Sequence, residues 1–276
     1  MSFFYVDSRT RIAVTGDDRY RWPQGVLTQD VRPMEAAIAY LATYSLTLTN
    51  KGKILADVIA IGNRDHLDLW LPEQVSANVI AVWERLIVME DVELQRHNED
   101  RLVWVGQPVE GAIAFDVLGA QGGVLFTAQD RLDEVKIGLQ NKGLEEISAT
   151  QFAARSTDAA RGVFGRDFGE SHYVQEVGLE GRAASFSKGC YVGQEIVCML
   201  QSRGKVHRRL VRIALDQAAA MGESLLFDGT IVGAISSLGS HSPGFALAMI
   251  KASAAAIGTE LRTEKGTLAR VDSLAW

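Results

Sequence analysis

Lys188-Gly189-Cys190-Tyr191-Val192-Gly193-Gln194-Glu195 sets a cation, a thiol and a carboxylate close together in one short stretch. Gly189 frees the backbone just before the cysteine. Apolar residues then resume at Ile196, Val197, Met199 and Leu200. This spacing predicts a helix from about Gln194 to Ser202, closed at Arg203-Gly204 with glycine in the capping position. Cys190 then precedes a helix N-terminus and follows Lys188 by two residues, and both features favour a thiolate. The alternative is a small apolar cysteine buried in a turn.

Downstream of this turn the texture is that of strands: 206–215, 224–227, 231–237, 245–250 and 260–274, broken by short turns such as Asp228-Gly229. Such a run suits a small β-barrel. Upstream, strands and helices mix. An Ala-rich segment, 34–46, and the segment 75–89, with Val75, Val79, Val82, Trp83, Leu86 and Ile87 as a stripe, both predict helices. Between them 54–61 and 66–71 read as strands joined at Gly62-Asn63-Arg64-Asp65. Segments 92–95, 102–105 and 111–118 continue as strands, 119–123 reads as a hairpin turn, and 144–160 is a weaker helical region. The expected class is α+β: antiparallel sheets with packed helices over 1–204, as one region or two interleaved subdomains, then a C-terminal β-barrel over 205–276.

At 276 residues and 47% hydrophobic the chain can bury a substantial core. Nothing approaches the run of about 18 apolar residues that a spanning helix needs. The opening residues lack the basic and apolar regions of a secretory signal. Cys190 and Cys198 would be roughly 12 Å apart on a helix, too far to bridge. A cytoplasmic protein with reduced thiols is the expectation. No pair of its histidines and cysteines has metal-ligand spacing, so no metal site is expected. The net charge of −6 disfavours general nucleic-acid binding. Against it stands one basic strand, with Arg203, Lys205, His207, Arg208, Arg209 and Arg212 interleaved with apolar residues. It reads either as a solvated strand or as an anion patch.

The stretch Lys188–Glu195, followed by Arg203-Gly204 and Arg208-Arg209-Leu210, resembles the signature of the YgfZ family, itself related to the glycine cleavage T-protein (aminomethyltransferase). Three further landmarks resemble that family in the expected order. They are Gln24-Gly25-Val26-Leu27-Thr28-Gln29-Asp30-Val31, Asn50-Lys51-Gly52-Lys53-Ile54-Leu55-Ala56-Asp57 and Gly244-Phe245-Ala246-Leu247-Ala248-Met249. The resemblance implies a T-protein-like folate-binding fold and tetrahydrofolate, in simple or polyglutamate form, as cofactor. It implies work in iron–sulfur cluster assembly or repair and, through those enzymes, in tRNA modification, with iron–sulfur enzymes or assembly proteins as partners.

By the same resemblance Cys190 is the working thiol and Lys188 its supporting cation. Glu176, in Tyr173-Val174-Gln175-Glu176, is the pterin anchor, because one carboxylate meets the paired N–H donors of a pterin edge. Val174 stands where the family has proline. Tyr191 is a ring wall, Arg203 faces the tail or the pteridine edge, and Gln194, Glu195 and Asp57 complete the cofactor set. Glu195 reads equally as a helix-capping acid. The T-protein has two adjacent acids where this chain has Ala56-Asp57, which counts against a folate-dependent aminomethyl or C1 transferase. A direct tRNA-binding module rests on the basic strand alone.

Overall fold

The structure is a computed structural model, and it describes residues 2–276. The chain divides into two compact units, Met1–Ala149 with Arg182–Gln194, and Thr150–Gly181 with Glu195–Trp276.

The first unit contains strands β1 (Phe3–Asp7), β2 (Arg9–Thr15), β3 (Leu41–Leu48), β4 (Ile54–Asn63), β5 (His66–Pro72), β6 (Glu93–His97), β7 (Asp100–Val105), β8 (Ile113–Val117), β9 (Ala120–Ala128) and β10 (Glu145–Glu146). They form two five-stranded sheets, ordered β10-β1-β7-β9-β8 and β3-β4-β5-β2-β6. All neighbours are antiparallel except β1 and β10. Helices α1 (Pro23–Val26), α2 (Arg32–Glu35), α3 (Glu73–Glu84) and α4 (Leu132–Asn141) accompany the sheets. Leu132 and Leu139 of α4 pack on Phe4, Val103 and Val105 of the first sheet. Trp83 of α3 meets Trp22 edge-on and donates its indole N–H to Thr47 of β3 at 3.0 Å.

Local chemistry explains both tight hairpins of the first unit. Asn63 pairs with His66, and its side-chain oxygen accepts from the N–H groups of Asp65 and His66, so Arg64-Asp65 is a two-residue loop. Val117 pairs with Ala120 across Leu118-Gly119, which both have positive φ, as a primed turn demands. The turn therefore precedes the expected 119–123, and Ala120–Gly123 belong to β9. A Cβ on Gly122 would collide with the Val105 carbonyl, so glycine here admits the neighbouring strand.

One expected helix is overturned. Segment 34–46 has only the last two residues of α2, and 41–46 is strand β3. Pairing with β4 from Leu41↔Gly62 to Leu48↔Ile54 buries Tyr44, Leu46 and Leu48, and this burial outweighs the helix propensity of the alanines before it. Helix α3 stops at Glu84, short of the expected 89, and Val88 and Met89 are exposed beyond it. Strands β1 and β2 have no counterpart in the sequence reading.

The second unit contains β11 (Arg208–Leu215), β12 (Ser224–Phe227), β13 (Thr230–Leu238), β14 (Phe245–Lys251), β15 (Glu260–Thr263) and β16 (Leu268–Leu274), closed into a barrel in the order β11-β14-β13-β12-β15-β16. The predicted strand 260–274 is thus two strands. Its interior is filled by Val211, Ile213, Leu225, Ile235, Ala246, Ala248, Ile250, Leu261, Ala269 and Val271. Closure leaves the barrel no open edge, and the alanines keep the interior of a six-stranded barrel small. Helices α5 (Ala149–Asp158), α6 (Glu180–Ala183) and α7 (Gln194–Arg203) straddle the joins between the units. Helix α7 has the predicted start, and Gly204 closes it with φ 63° and an N–H bond to the Leu200 carbonyl at 2.9 Å. The mixed α and β fold with a C-terminal barrel agrees with the sequence expectation.

Candidate functional site

Three of the four sequence landmarks meet inside the first unit. The 25–29 segment and the 182–192 segment are stitched by both backbone and side chains. Gln29 Nε2 donates to the Arg182 carbonyl at 3.1 Å, and Thr28 Oγ1 donates to the Ala183 carbonyl at 2.5 Å. The Ser185 and Val192 N–H groups donate to the carbonyls of Thr28 and Gly25, each at 2.9 Å. Gly193, at φ 82°, lies so close to the β3–β4 turn that a Cβ there would be 2.6 Å from the Thr49 carbonyl.

Lys188 is the centre of this arrangement. It is only 6% exposed, and its ammonium donates to the carbonyls of Leu27 at 2.7 Å and Gln29 at 3.1 Å. The Tyr191 ring lies 5.3 Å below it, a cation–π contact. Burial pushes its pKa down to about 8, with Asp30 opposing that shift and Arg32 adding to it. Cys190, two residues on, is exposed, and both cysteines are free thiols. Tyr191 is buried and Gln194 half-buried at the start of α7.

Asp57 of β4 is 3% exposed. Its Oδ2 accepts from Arg9 Nη2 at 2.8 Å and from the Tyr44 hydroxyl at 3.0 Å. Arg9 also pairs with Asp7 at 2.8 Å, and Asp7 accepts from the Trp104 indole at 2.9 Å. Burial works against the Arg9 charge, but the Asp57 and Asp7 carboxylates overcome it and hold the pKa above the ordinary arginine value. The Tyr44 hydroxyl is pushed well above its ordinary range by burial and by Asp57. Nearby, Tyr44, Phe115, Asp116 and Arg182 help line a cleft of about 870 Å³. Arg182 lies over the rings of Tyr44 and Phe115 at 5.4 and 5.8 Å and pairs with Asp116.

Glu176, Glu195 and Arg203 belong to the second unit. Glu176 is 4% exposed, in the 3-10 turn Val174–Glu176. Its Oε1 accepts from Arg208 Nε at 3.1 Å and its Oε2 from the Tyr173 N–H at 2.9 Å. The adjacent Gln175 ties this turn to α7 through the Val197 carbonyl at 2.8 Å. Glu195 and Arg203 are exposed at the two ends of α7. On the basic strand, Arg208 is committed to Glu176 and to the Ser171 carbonyl, and Arg212 to Asp272 at 2.5 Å and to the Phe245 ring.

No family model matches the chain. A search of solved structures finds the glycine cleavage system aminomethyltransferase T from Bartonella henselae, with a TM-score of 0.84 over 99% of this chain and 85% of that one, at 16% identity. Among sequence relatives, the tRNA-modifying protein YgfZ of Yersinia enterocolitica is 24% identical over 82% of this chain and 75% of its own length. The chain is T-protein-like in fold and YgfZ-like in sequence. An iron–sulfur cluster assembly factor IBA57 homolog, mitochondrial, of Neosartorya fischeri is 22% identical over 85% of this chain. A chloroplastic protein of Arabidopsis thaliana, named as a transferase, is 30% identical over 52% of it. The chain spans 62% of the length of the fungal relative and 32% of that of the plant one.

In this YgfZ-like chain, sequence reading did not find Arg9, Tyr44, Asp116 and Arg182. The one available signal is alternation: Arg9 and Arg11 fall two apart, which puts both cations on one face of a strand. In the sequence Arg208 belongs to a basic patch, and only the fold makes it the partner of Glu176.

Proposed function

We propose that this protein is a tetrahydrofolate-binding accessory factor of the cytoplasm, acting in iron–sulfur cluster assembly or repair and thereby in tRNA modification. The observation that carries the reading is the exposed Cys190 on a turn secured by buried Lys188 and the Gly25–Gln29 segment. A thiol held outward on a fixed turn suits transient contact with a cluster-bearing partner, since thiolate is a soft metal ligand. Two relatives spanning more than four-fifths of this chain are named for iron–sulfur cluster assembly and for tRNA modification, which supports the same role. Glu176 supports folate binding. Each oxygen of this buried carboxylate accepts one protein hydrogen bond and keeps a second lone pair for the paired donors of a pterin.

A C1-transferase role draws less support, because Ala56 replaces one acid of the T-protein and Asp57 is committed to Arg9 and Tyr44. A tRNA-binding module draws less too, because Arg208 and Arg212 are paired with carboxylates.

Calorimetric titration with tetrahydrofolate and its polyglutamate form, on wild type and Glu176→Ala, tests the cofactor. Saturable binding that the substitution abolishes is expected, and no binding of either form by the wild type would overturn the folate reading. Complementation of a deletion strain tests the thiol: Cys190→Ala is expected to fail and Cys198→Ala to succeed.

A further inference from the structure

We propose that Lys188 is the positioning residue of the Cys190 turn, fastening its backbone to the 25–29 segment rather than acting on the thiol. That Cys190 is the working thiol rests on the function proposed above; the fastening itself stands on geometry.

An ammonium has three donors and no acceptor. Two of the three at Lys188 go to the Leu27 and Gln29 carbonyls, 161 and 159 positions earlier in the chain, and the Tyr191 ring takes up the charge from another side. Its neighbours on the chain are far less confined. Gly189 has open space where a Cβ would be, and Cys190 is exposed. Whatever holds residues 189–190 therefore acts through their flanks. On the C-terminal side it is the Val192 N–H bond to the Gly25 carbonyl and the close approach of Gly193 to the β3–β4 turn. On the N-terminal side it is Lys188, with Ser185 and Ala183 bonded to Thr28 just before it. Both flanks fasten to the same five-residue stretch, so the thiol projects from a loop pinned at two ends. Charge-assisted hydrogen bonds are stronger than neutral ones, which makes Lys188 the firmer of the pins on its side.

The experiment uses the full chain with Cys198→Ser, leaving one thiol, and three further variants: Lys188→Met, Lys188→Arg and Thr28→Val. Two quantities are measured: the rate of Cys190 alkylation by iodoacetamide against pH, and amide hydrogen exchange over 25–29 and 183–192. Loss of two charge-assisted hydrogen bonds in Lys188→Met should raise exchange in both segments roughly tenfold or more. The high-pH plateau of the alkylation rate should change severalfold, while the midpoint of the pH profile stays in place. Lys188→Arg keeps the charge but replaces a compact ammonium with a planar fork, and should raise exchange as well. Thr28→Val cuts the adjacent tie and should reproduce the exchange increase with Lys188 intact.

A midpoint that moves upward in Lys188→Met with exchange unaltered would assign Lys188 to the thiol and overturn the proposal. Unchanged exchange in both lysine variants would overturn it too. Failure of the proposed function is read separately, because full complementation by Cys190→Ala would remove the thiol's role and leave the fastening untouched.

Discussion

Asp57 shows what a single buried side chain can demand of its surroundings. Its carboxylate is held by the Arg9 guanidinium and the Tyr44 hydroxyl, with side chains of Asp57 and Arg9 only 5% and 8% exposed. Removing one partner of such a pair leaves the other charge stranded, at a cost of about 3–5 kcal/mol. Asp57→Asn keeps the shape and is expected to lose about 3 kcal/mol, read as a lower urea midpoint at unchanged slope. Arg9→Met is expected to cost at least as much, because it strands the Asp57 and Asp7 carboxylates together, whereas Asp57→Asn leaves Arg9 its bond to Asp7. At Lys188 the sign differs. Its pKa falls from 10.5 in the unfolded chain to about 8 in the folded one, so between those values the unfolded state binds the extra proton. Stability therefore rises with pH across that window and is flat below it. Discounted for partial exposure, wild type should gain about 1–2 kcal/mol over Lys188→Met between about pH 8 and 10.5 in paired urea titrations.

Elements were legible where their signals are local. The β4–β5 hairpin announces itself through Asn63, and α7 through the spacing after Gln194 and the glycine at 204. Strand β3 was not legible, since alanines before it imitate a helix and only its pairing with β4 decides otherwise. Of the candidate site, the motif turn could be read from the sequence, because glycines, a thiol and a lysine stand together. The destination of the Lys188 ammonium could not, since its acceptors are backbone carbonyls in a distant segment. Gly193 joins the motif turn to α7, and Gly193→Ala is expected to cost about 1–3 kcal/mol. The reason is both its positive φ and the clash with the Thr49 carbonyl. A lowered urea midpoint with little change in helix content by circular dichroism is the expected result. Strand β11 gives a parallel case: Arg208→Met leaves Glu176 buried without its cation, and should lose about 3 kcal/mol at neutral pH.

At the scale of the molecule, the change of texture near residue 204 marks where the barrel strands begin, but the barrel packs with residues from earlier in the chain. Asp167 accepts from Ser236 at 2.6 Å and from Ser237, and Glu176 pairs with Arg208. A chain cut to 205–276 leaves the serines and Arg208 without these partners. It is expected to show no cooperative thermal transition, whereas 150–276 should show one by circular dichroism. Retention of a sharp transition by 205–276 would place the whole of its stability within the barrel strands. The excursion of 150–181 away from the first unit, and the return of 182–194 to it, also orders events in time. A polypeptide emerging from the ribosome has everything the first unit needs once residue 194 is out, and domains tend to fold as they emerge. The loop bearing Cys190 can thus be docked while the barrel strands have yet to emerge, so the thiol's presentation is settled before the barrel that follows it can close.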